Sequence, residues 1–301
     1  MSAESTTAAV VAPPERSGRV HEYYELCKPR VVMLIVFTAI VGMFLAVPGL
    51  PPYAALAWGT LGIALQAAAA AAINQIIDRN IDARMARTAN RPVPSGRVSP
   101  TAALIFGCTL AALSFLELSL TVNTLAASLS LAGFLGYVFV YTVWLKRRTP
   151  QNIVIGGAAG AVPPLVGWAA VTGSVNGIAV LLFFIVFFWT PPHFWALSLL
   201  MKGEYEKVGV PMMPVVRGEA ETRRQILLYT VLLYAVTQLP FCAGGFGGIY
   251  LVASLLLGLG FIAGAVRLYR RADRRSALQL YLFSLAYLAL LFCAMVADAK
   301  L

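Results

Sequence analysis

Three oxygen-bearing side chains, Asn74, Asp78 and Asp82, recur at every fourth position in one segment of the chain. In a helix, four residues turn the backbone by about 400°, so these side chains would share an arc of roughly 80°, in steps of about 6 Å. Mg²⁺ binds such oxygen ligands, commonly through one or two carboxylates together with the phosphates of a substrate. The spacing therefore predicts a magnesium site for a phosphorylated substrate on one helix face.

The same carboxylates have a simpler interpretation, which the spacing alone leaves open. Arg79, Arg84 and Arg87 lie nearby in the sequence and could form ion pairs with the two aspartates. The result would be an ordinary solvated helix end. The tract before it, residues 66–73, is mostly alanine, and small residues let neighbouring helices or an apolar substrate approach closely.

The elements that hold these residues are predicted to be membrane helices. Of the 301 residues, 59% are hydrophobic and 12% are charged, whereas a soluble domain carries about 25% charged residues. A bilayer crossing takes about 20 apolar residues. Five long runs are uncharged apart from Glu117, four of double length and one single: residues 31–77, 101–145, 149–201, 225–266 and 276–297. They predict an all-α polytopic membrane protein with nine transmembrane helices in a bundle around a membrane cavity.

The positive charges predict how this bundle is oriented. Of the 23 Lys and Arg residues, all but Lys300 fall before the first helix or in alternate connections, on one face. Cytoplasmic loops are enriched in Lys and Arg, so the N-terminus is expected inside and the C-terminus outside. The net charge of +10 thus orients the chain and does not indicate a nucleic-acid partner. Residues 1–20 are predicted to be a disordered cytoplasmic arm, and residues 21–301 a single transmembrane domain.

Four segments carry a resemblance to a known family. Residues 74–82, followed by Arg91-Pro92, resemble the NxxxDxxxD motif of the UbiA-type intramembrane prenyltransferase superfamily. Three further segments are similar to its haem branch, the protohaem IX farnesyltransferases or haem O synthases. These segments are residues 141–152, residues 191–197 with Pro191-Pro192-His193, and residues 209–216 with Pro211-Met212-Met213-Pro214. The resemblance extends from about residue 24 to residue 224.

This resemblance implies an enzyme that transfers the farnesyl group of farnesyl diphosphate to a vinyl group of haem b and adds water, giving haem O. It implies Mg²⁺ as cofactor, held by the catalytic residues Asn74, Asp78 and Asp82. The expected location is the plasma membrane of a bacterium, with the active site toward the cytoplasmic face. The implied partners are the two substrates, the lipid bilayer, and a haem A synthase or oxidase-assembly protein that receives the product.

Three basic residues match family positions near the active site and are candidates to bind the diphosphate. Arg91 lies in the first long inner loop, and Lys146 and Arg147 follow the fourth predicted helix. The alternative is topological, because any inner loop collects Lys and Arg.

The second long inner loop departs from the superfamily pattern. Many members carry a second Asp-rich motif there, whereas residues 202–207 contain Glu204 and Glu206 and no aspartate. The haem branch is similar in this respect. Glu204 is therefore a further candidate metal ligand, and the alternative is a solvated pairing of both glutamates with Lys202 and Lys207.

His193 is one of two histidines and lies within an otherwise apolar predicted helix. A polar ring inside a membrane helix is usually functional and faces the bundle interior. With the family resemblance, His193 is expected to bind haem, through its iron or a propionate. The alternative is a hydrogen-bonded packing histidine near a proline kink.

Two other functions stay open from the sequence. One is a prenyltransferase of the same superfamily that acts on a quinone or chlorin precursor. The other is a membrane transporter, but transporters place ionisable groups near the bilayer midplane between broken helices. Here the aspartates fall at the inner boundary, which disfavours transport.

Overall fold

Helices form the regular structure of the computed structural model, which describes residues 18–301 and contains no strand in that range. Most of the predicted N-terminal arm lies outside the described residues. The helices in the first half are α1 (Arg19–Leu26), α2 (Pro29–Leu45), α3 (Tyr53–Ile77), α4 (Arg79–Asp82), α5 (Pro100–Thr121) and α6 (Thr124–Leu135). A π-helical segment, Gly136–Leu145, continues α6. The remaining helices are α7 (Asn152–Ala161), α8 (Pro163–Thr172), α9 (Gly177–Leu200), α10 (Lys202–Lys207), α11 (Met213–Val216), α12 (Gly218–Cys242), α13 (Gly248–Arg271) and α14 (Arg274–Lys300).

The number of membrane spans agrees with the predicted bundle. Within residues 18–301, eight helical segments are long and apolar enough to cross a membrane, and a ninth is the bent pair α1–α2. Two of the eight are composite, since α6 runs into the π-helix and α7 meets α8 at Pro163. The all-helical prediction is confirmed. The cytoplasmic side of the bundle and the single-domain boundary stay predictions.

The first span is bent where its two helices meet. The axes of α1 and α2 differ by 50°. Lys28 joins them in the left-handed backbone region, with φ of 49°, and Pro29 opens α2 at a position where its missing N–H costs nothing. The bend carries the Lys28 side chain toward α3, where it contacts Asn74.

The C-terminal end of α14 lies at the end of the bundle opposite the basic connections. The Lys300 ammonium donates to the carbonyl oxygens of Val47 at 2.5 Å and Gly49 at 2.6 Å, in the connection between α2 and α3. Lys300, the one basic residue outside the basic face, therefore binds the backbone of a turn at the other face.

A reporter fusion tests which face is cytoplasmic. Alkaline phosphatase fused after Leu301 is expected to be active, because it folds only after export and the positive-inside rule places this end outside. The matched control is a fusion after Arg148, in a basic connection, which is expected to be inactive. Activity of the second fusion alone would reverse the predicted orientation.

Helices α2 and α8 pack with their backbones in contact. A Cβ atom added at Gly167 would overlap the carbonyl oxygen of Ala39, and one added at Gly42 would overlap the carbonyl oxygen of Pro164. Small residues permit such close approach between membrane helices. The two glycines thus set the distance between the first span, α1–α2, and the fifth span, α7–α8.

Replacing Gly167 with Ala is expected to destabilise the protein by about 1–3 kcal/mol, the usual cost of overpacking. Thermal unfolding in detergent measures the effect. Gly160→Ala is the matched control, because a Cβ there meets nothing within 4 Å. Equal unfolding midpoints for the two variants would contradict the tight crossing.

Candidate active site

The site forms where α3 ends at the basic face of the bundle. The backbone amide of Asp78 bonds to the carbonyl of Asn74 at 3.0 Å, and that of Asp82 to the carbonyl of Asp78 at 2.8 Å. Helical spacing thus continues from α3 into α4, and the three side chains keep their predicted common face. All are buried, with 3%, 1% and 3% of their surface exposed for Asn74, Asp78 and Asp82. The Asn74 side-chain amide donates to Asp78 Oδ2 at 2.8 Å.

Asp78 receives its cations from the segment after the π-helix. The Lys146 ammonium binds Asp78 Oδ2 directly, and an Arg147 guanidinium nitrogen lies 3.8 Å from Asp78 Oδ1. Arg147 also donates to the carbonyl of Ile77 at 2.8 Å. The Lys146 amide bonds to the carbonyl of Tyr141, five residues back, and such π turns occur frequently at functional sites.

Asp82 pairs with the first inner loop. The Arg91 guanidinium lies 2.5 Å from Asp82 Oδ2, and the Thr88 hydroxyl donates to the backbone carbonyl of Asp82 at 3.0 Å. Arg91 is about a quarter exposed. Both aspartates are therefore buried, and their partners are Lys146, 68 residues from Asp78, and Arg91, nine residues from Asp82. The alternative of a solvated helix end, paired with the neighbouring arginines, is wrong.

Two residues that the sequence analysis did not single out complete the cluster. The Lys28 ammonium donates to Asn74 Oδ1 at 2.6 Å, and the Thr142 hydroxyl accepts from Asn74 Nδ2 at 3.3 Å. Lys28 is also within electrostatic range of Asp78 and Asp82. By sequence alone, Lys28 is one of the charges that orient the chain. The one signal in the sequence is its position directly before the proline that opens α2.

The donor set fits a magnesium ion. Asp78 Oδ1 is buried and accepts no hydrogen bond from any described residue, so a carboxylate oxygen is available. Asn74 and Asp82 add an amide and a second carboxylate. Within residues 18–301 no group of three or more His, Cys, Asp or Glu is arranged to hold a metal. An ion here would take its remaining ligands from water and substrate phosphate, as Mg²⁺ commonly does in proteins.

Glu204 connects the second inner loop with the first. Its Oε2 accepts a hydrogen bond from the backbone amide of Ala86 at 2.7 Å, and its Oε1 lies 3.3 Å from the Lys207 ammonium. The Ala86 bond and, second, Lys207 lower the pKa of the Glu204 carboxyl. Lys202 instead pairs with Glu219 at 3.2 Å. Glu204 thus contacts the first inner loop at Ala86, four residues after Asp82, and both of its oxygens are engaged.

His193 belongs to α9, and its side chain contacts α14, apart from this cluster. Its ring is 6% exposed and stacks on Trp189 with a centroid distance of 4.3 Å. The Nδ1 atom lies 2.7 Å from the hydroxyl of Ser284. Among the described residues no hydrogen bond or ion pair joins His193 to the aspartates.

Residues 35–291 match the model of the UbiA prenyltransferase family. The chain belongs to this family. It is 55% identical over 277 residues to the protein of Marinobacter nauticus named protoheme IX farnesyltransferase, covering 92% of each. It is 54% identical over 293 residues to the protein of that name from Alkalilimnicola ehrlichii, covering 97% of each.

Solved structures share the fold of this prenyltransferase. A digeranylgeranylglyceryl phosphate synthase superposes with a TM-score of 0.78 at 21% identity, covering 93% of this chain and 98% of that one. A UbiA homolog from Archaeoglobus fulgidus, bound to GPP and Mg²⁺, gives a TM-score of 0.68 at 16% identity, covering 91% and 99%. With the family match and the membrane-spanning helices, the chain is a multi-pass membrane prenyltransferase, and the transporter alternative is wrong.

Proposed function

We propose that this prenyltransferase joins the farnesyl group of farnesyl diphosphate to a vinyl group of haem b, with addition of water, to give haem O. The observation that carries the proposal is the convergence of cations on one buried amide–carboxylate cluster. Lys28, Lys146, Arg147 and Arg91 all reach it. Such a cluster suits a substrate that carries its negative charge on a diphosphate group. The names of relatives more than 50% identical over most of the chain support haem as acceptor.

The hard step is loss of the diphosphate, because its charge grows as the carbon–oxygen bond to the farnesyl group breaks. Lys146, Arg147 and Arg91 would donate to the phosphate oxygens and neutralise that charge as it develops.

We propose Asn74, Asp78 and Asp82 as the residues that hold Mg²⁺, which when bound withdraws charge from the leaving phosphate. The GPP and Mg²⁺ bound by the Archaeoglobus relative support this cofactor. Glu204 is proposed to hold the two inner loops together through Ala86, and its engaged oxygens favour this role over metal binding.

The acceptor side needs no protein nucleophile. The π electrons of the vinyl group form the new carbon–carbon bond to the farnesyl carbon, leaving a cation on the porphyrin side. A water molecule adds its lone pair to that cation and then loses a proton, which gives the hydroxyl group. We propose that His193 binds the haem during this reaction. The ring of His193 is held rigidly, because the rings of Trp189 and Tyr281 both stack on it.

Incubation of the purified protein with haem b, farnesyl diphosphate and Mg²⁺ tests the function. The expected product has the mass of haem b plus one farnesyl group and one hydroxyl group, and its formation stops when the metal is chelated. A parallel reaction offers a quinone precursor in place of haem. Prenylation of the quinone precursor alone would show that the acceptor is wrong while the family chemistry is right.

The location and the receiving partner follow from the same proposal. The basic face that carries the site is proposed to be cytoplasmic, in a bacterial plasma membrane, consistent with the bacterial relatives. A haem A synthase or oxidase-assembly protein is the proposed recipient, since haem O is too apolar to leave the bilayer unaided.

Replacing Lys28 with Met is expected to raise the KM for farnesyl diphosphate about tenfold. A hydrogen bond to a charged group is worth about 1.5–3 kcal/mol, and Lys28 is the cation that reaches Asn74. Arg30→Met is the matched control, because Arg30 is an exposed cation two residues further along. Steady-state kinetics at saturating haem measures the effect. Equal KM values for the two variants would remove Lys28 from the site.

A further inference from the structure

Ser284 on α14 forms one hydrogen-bonded unit with two aromatic side chains of α9. The Trp189 indole N–H donates to the backbone carbonyl of Ser284 at 2.7 Å. The Ser284 hydroxyl lies 2.7 Å from His193 Nδ1 and 2.6 Å from the backbone carbonyl oxygen of Tyr281. The His193 ring stacks on Trp189 and on Tyr281, with centroids 4.3 and 4.9 Å apart. Ser284 itself is fully buried. The stacking of Trp189 and Tyr281 therefore fixes the plane of the imidazole, and the Ser284 hydroxyl fixes its rotation within that plane.

The single proton of the Ser284 hydroxyl decides the tautomer of His193. A carbonyl oxygen can only accept a hydrogen bond, and two oxygens 2.6 Å apart repel unless a proton lies between them. The Ser284 proton therefore points to Tyr281, and the hydroxyl accepts from His193. Consequently Nδ1 carries the N–H.

The other ring nitrogen then carries a free lone pair. No carboxylate contacts the His193 ring among the described residues, and a buried imidazolium without a counter-ion would be costly. The ring is neutral and has one N–H in all, which Nδ1 already accounts for. Nε2 therefore has no proton, and it has no hydrogen-bond partner in the described part of the chain.

We propose that Ser284 is a positioning residue, which fixes His193 as the Nδ1–H tautomer so that Nε2 presents its lone pair to the iron of a metal porphyrin. The identity of this ligand rests on the proposed function; the tautomer does not. Histidines that bind metals commonly donate their second ring N–H to a fixed acceptor, which sets both tautomer and ring orientation. Here the acceptor is supplied by the last helix of the chain.

The tautomer can be observed without haem. The chain has two histidines, so ¹⁵N-histidine labelling of a His21→Gln variant leaves one imidazole to observe by NMR. The expected spectrum shows a protonated Nδ1 and an unprotonated Nε2. Ser284→Ala is expected to convert at least part of the signal to the Nε2–H form, and Ser284→Thr, which keeps the hydroxyl, to restore it. Two results would overturn the proposal: an Nε2–H spectrum in the His21→Gln protein that retains Ser284, or an imidazole spectrum that Ser284→Ala leaves unchanged.

A matched control separates positioning from packing. Ser198 is also a fully buried serine, and its hydroxyl donates to the carbonyl of Trp195 three residues back, at 2.9 Å, as Ser284 does to Tyr281. Ser198→Ala removes the same atom from α9 with no hydrogen bond to His193. It is expected to leave the imidazole spectrum unchanged. An equal change in both variants would assign the effect to helix packing.

Titration with ferric haem b tests the ligand. Loss of an outer partner of a ligating histidine typically weakens metal binding about 10- to 100-fold, so Ser284→Ala is expected to lose affinity by that factor and to shift the Soret band. Ser284→Thr and Ser198→Ala should bind as the unaltered protein does. Unchanged binding and spectrum in Ser284→Ala would overturn the positioning role. If the unaltered protein fails to bind haem, the proposed function is wrong, and the NMR spectrum still decides the tautomer.

Discussion

Farnesyl transfer by the Asp78→Asn variant is expected to fall at least about a hundredfold, within the 10²- to 10³-fold loss typical when one transition-state contact is removed. Asn has the shape of Asp but lacks the charge, so it neither neutralises Lys146 nor binds a divalent ion strongly. Asp78 is 1% exposed, so solvent does not screen the loss of its charge. Single-turnover rates at saturating Mg²⁺ measure the effect.

Two further variants keep this result interpretable. The double variant Asp78→Asn/Lys146→Gln removes both charges of the buried pair, and it is expected to recover thermal stability without recovering transfer. Asp273→Asn is the matched control, because Asp273 caps α14 through the amide of Ser276 at 2.6 Å and Asn caps a helix about as well. Normal turnover in folded Asp78→Asn protein would refute its role in the site.

The His193→Ala variant is expected to lose haem affinity by about 10- to 100-fold while binding farnesyl diphosphate normally. The magnitude follows from losing the fixed imidazole as a ligand. The separation follows from position, since among the described residues no contact links His193 with the aspartate cluster. Separate titrations of the two substrates measure the effect, and His21→Ala is the control because His21 is exposed and its one ion pair among the described residues is with Glu25. Loss of farnesyl diphosphate binding alone would place His193 in the other half of the site.

The fold was predictable because a bilayer imposes it. Uncharged runs of about 20 or 40 residues have few alternatives to one or two spanning helices. The charged connections then marked the ends. The break at Pro163 is marked in the sequence, because proline interrupts a helix. The bend at Lys28 was less accessible, because hydropathy marks the edge of a span there and not the direction of the chain.

The candidate site was predictable only where its residues share one helix. Asn74, Asp78 and Asp82 are periodic, so their common face follows from helix geometry. Lys28 and Thr142 join them from other spans, and neither periodicity nor hydropathy marks such tertiary contacts. Ser284 illustrates the same limit, since a serine in an apolar helix gives no sign of the histidine that lies 91 residues away in sequence.

The shortness of α2 has a consequence for the surrounding lipid. As the apolar part of the bent first span, its 17 residues extend about 26 Å at 1.5 Å per residue, less than the hydrocarbon thickness of about 30 Å. The eight other candidate spans have 21 to 27 residues. Hydrophobic mismatch of a few ångströms is relieved by local thinning of the bilayer. The membrane is therefore expected to be thinnest beside the first span, where thinning brings the aqueous surface down to Lys28. A water-soluble diphosphate head could then reach its site while the farnesyl chain stays in hydrocarbon, and acyl-chain length becomes a determinant of turnover.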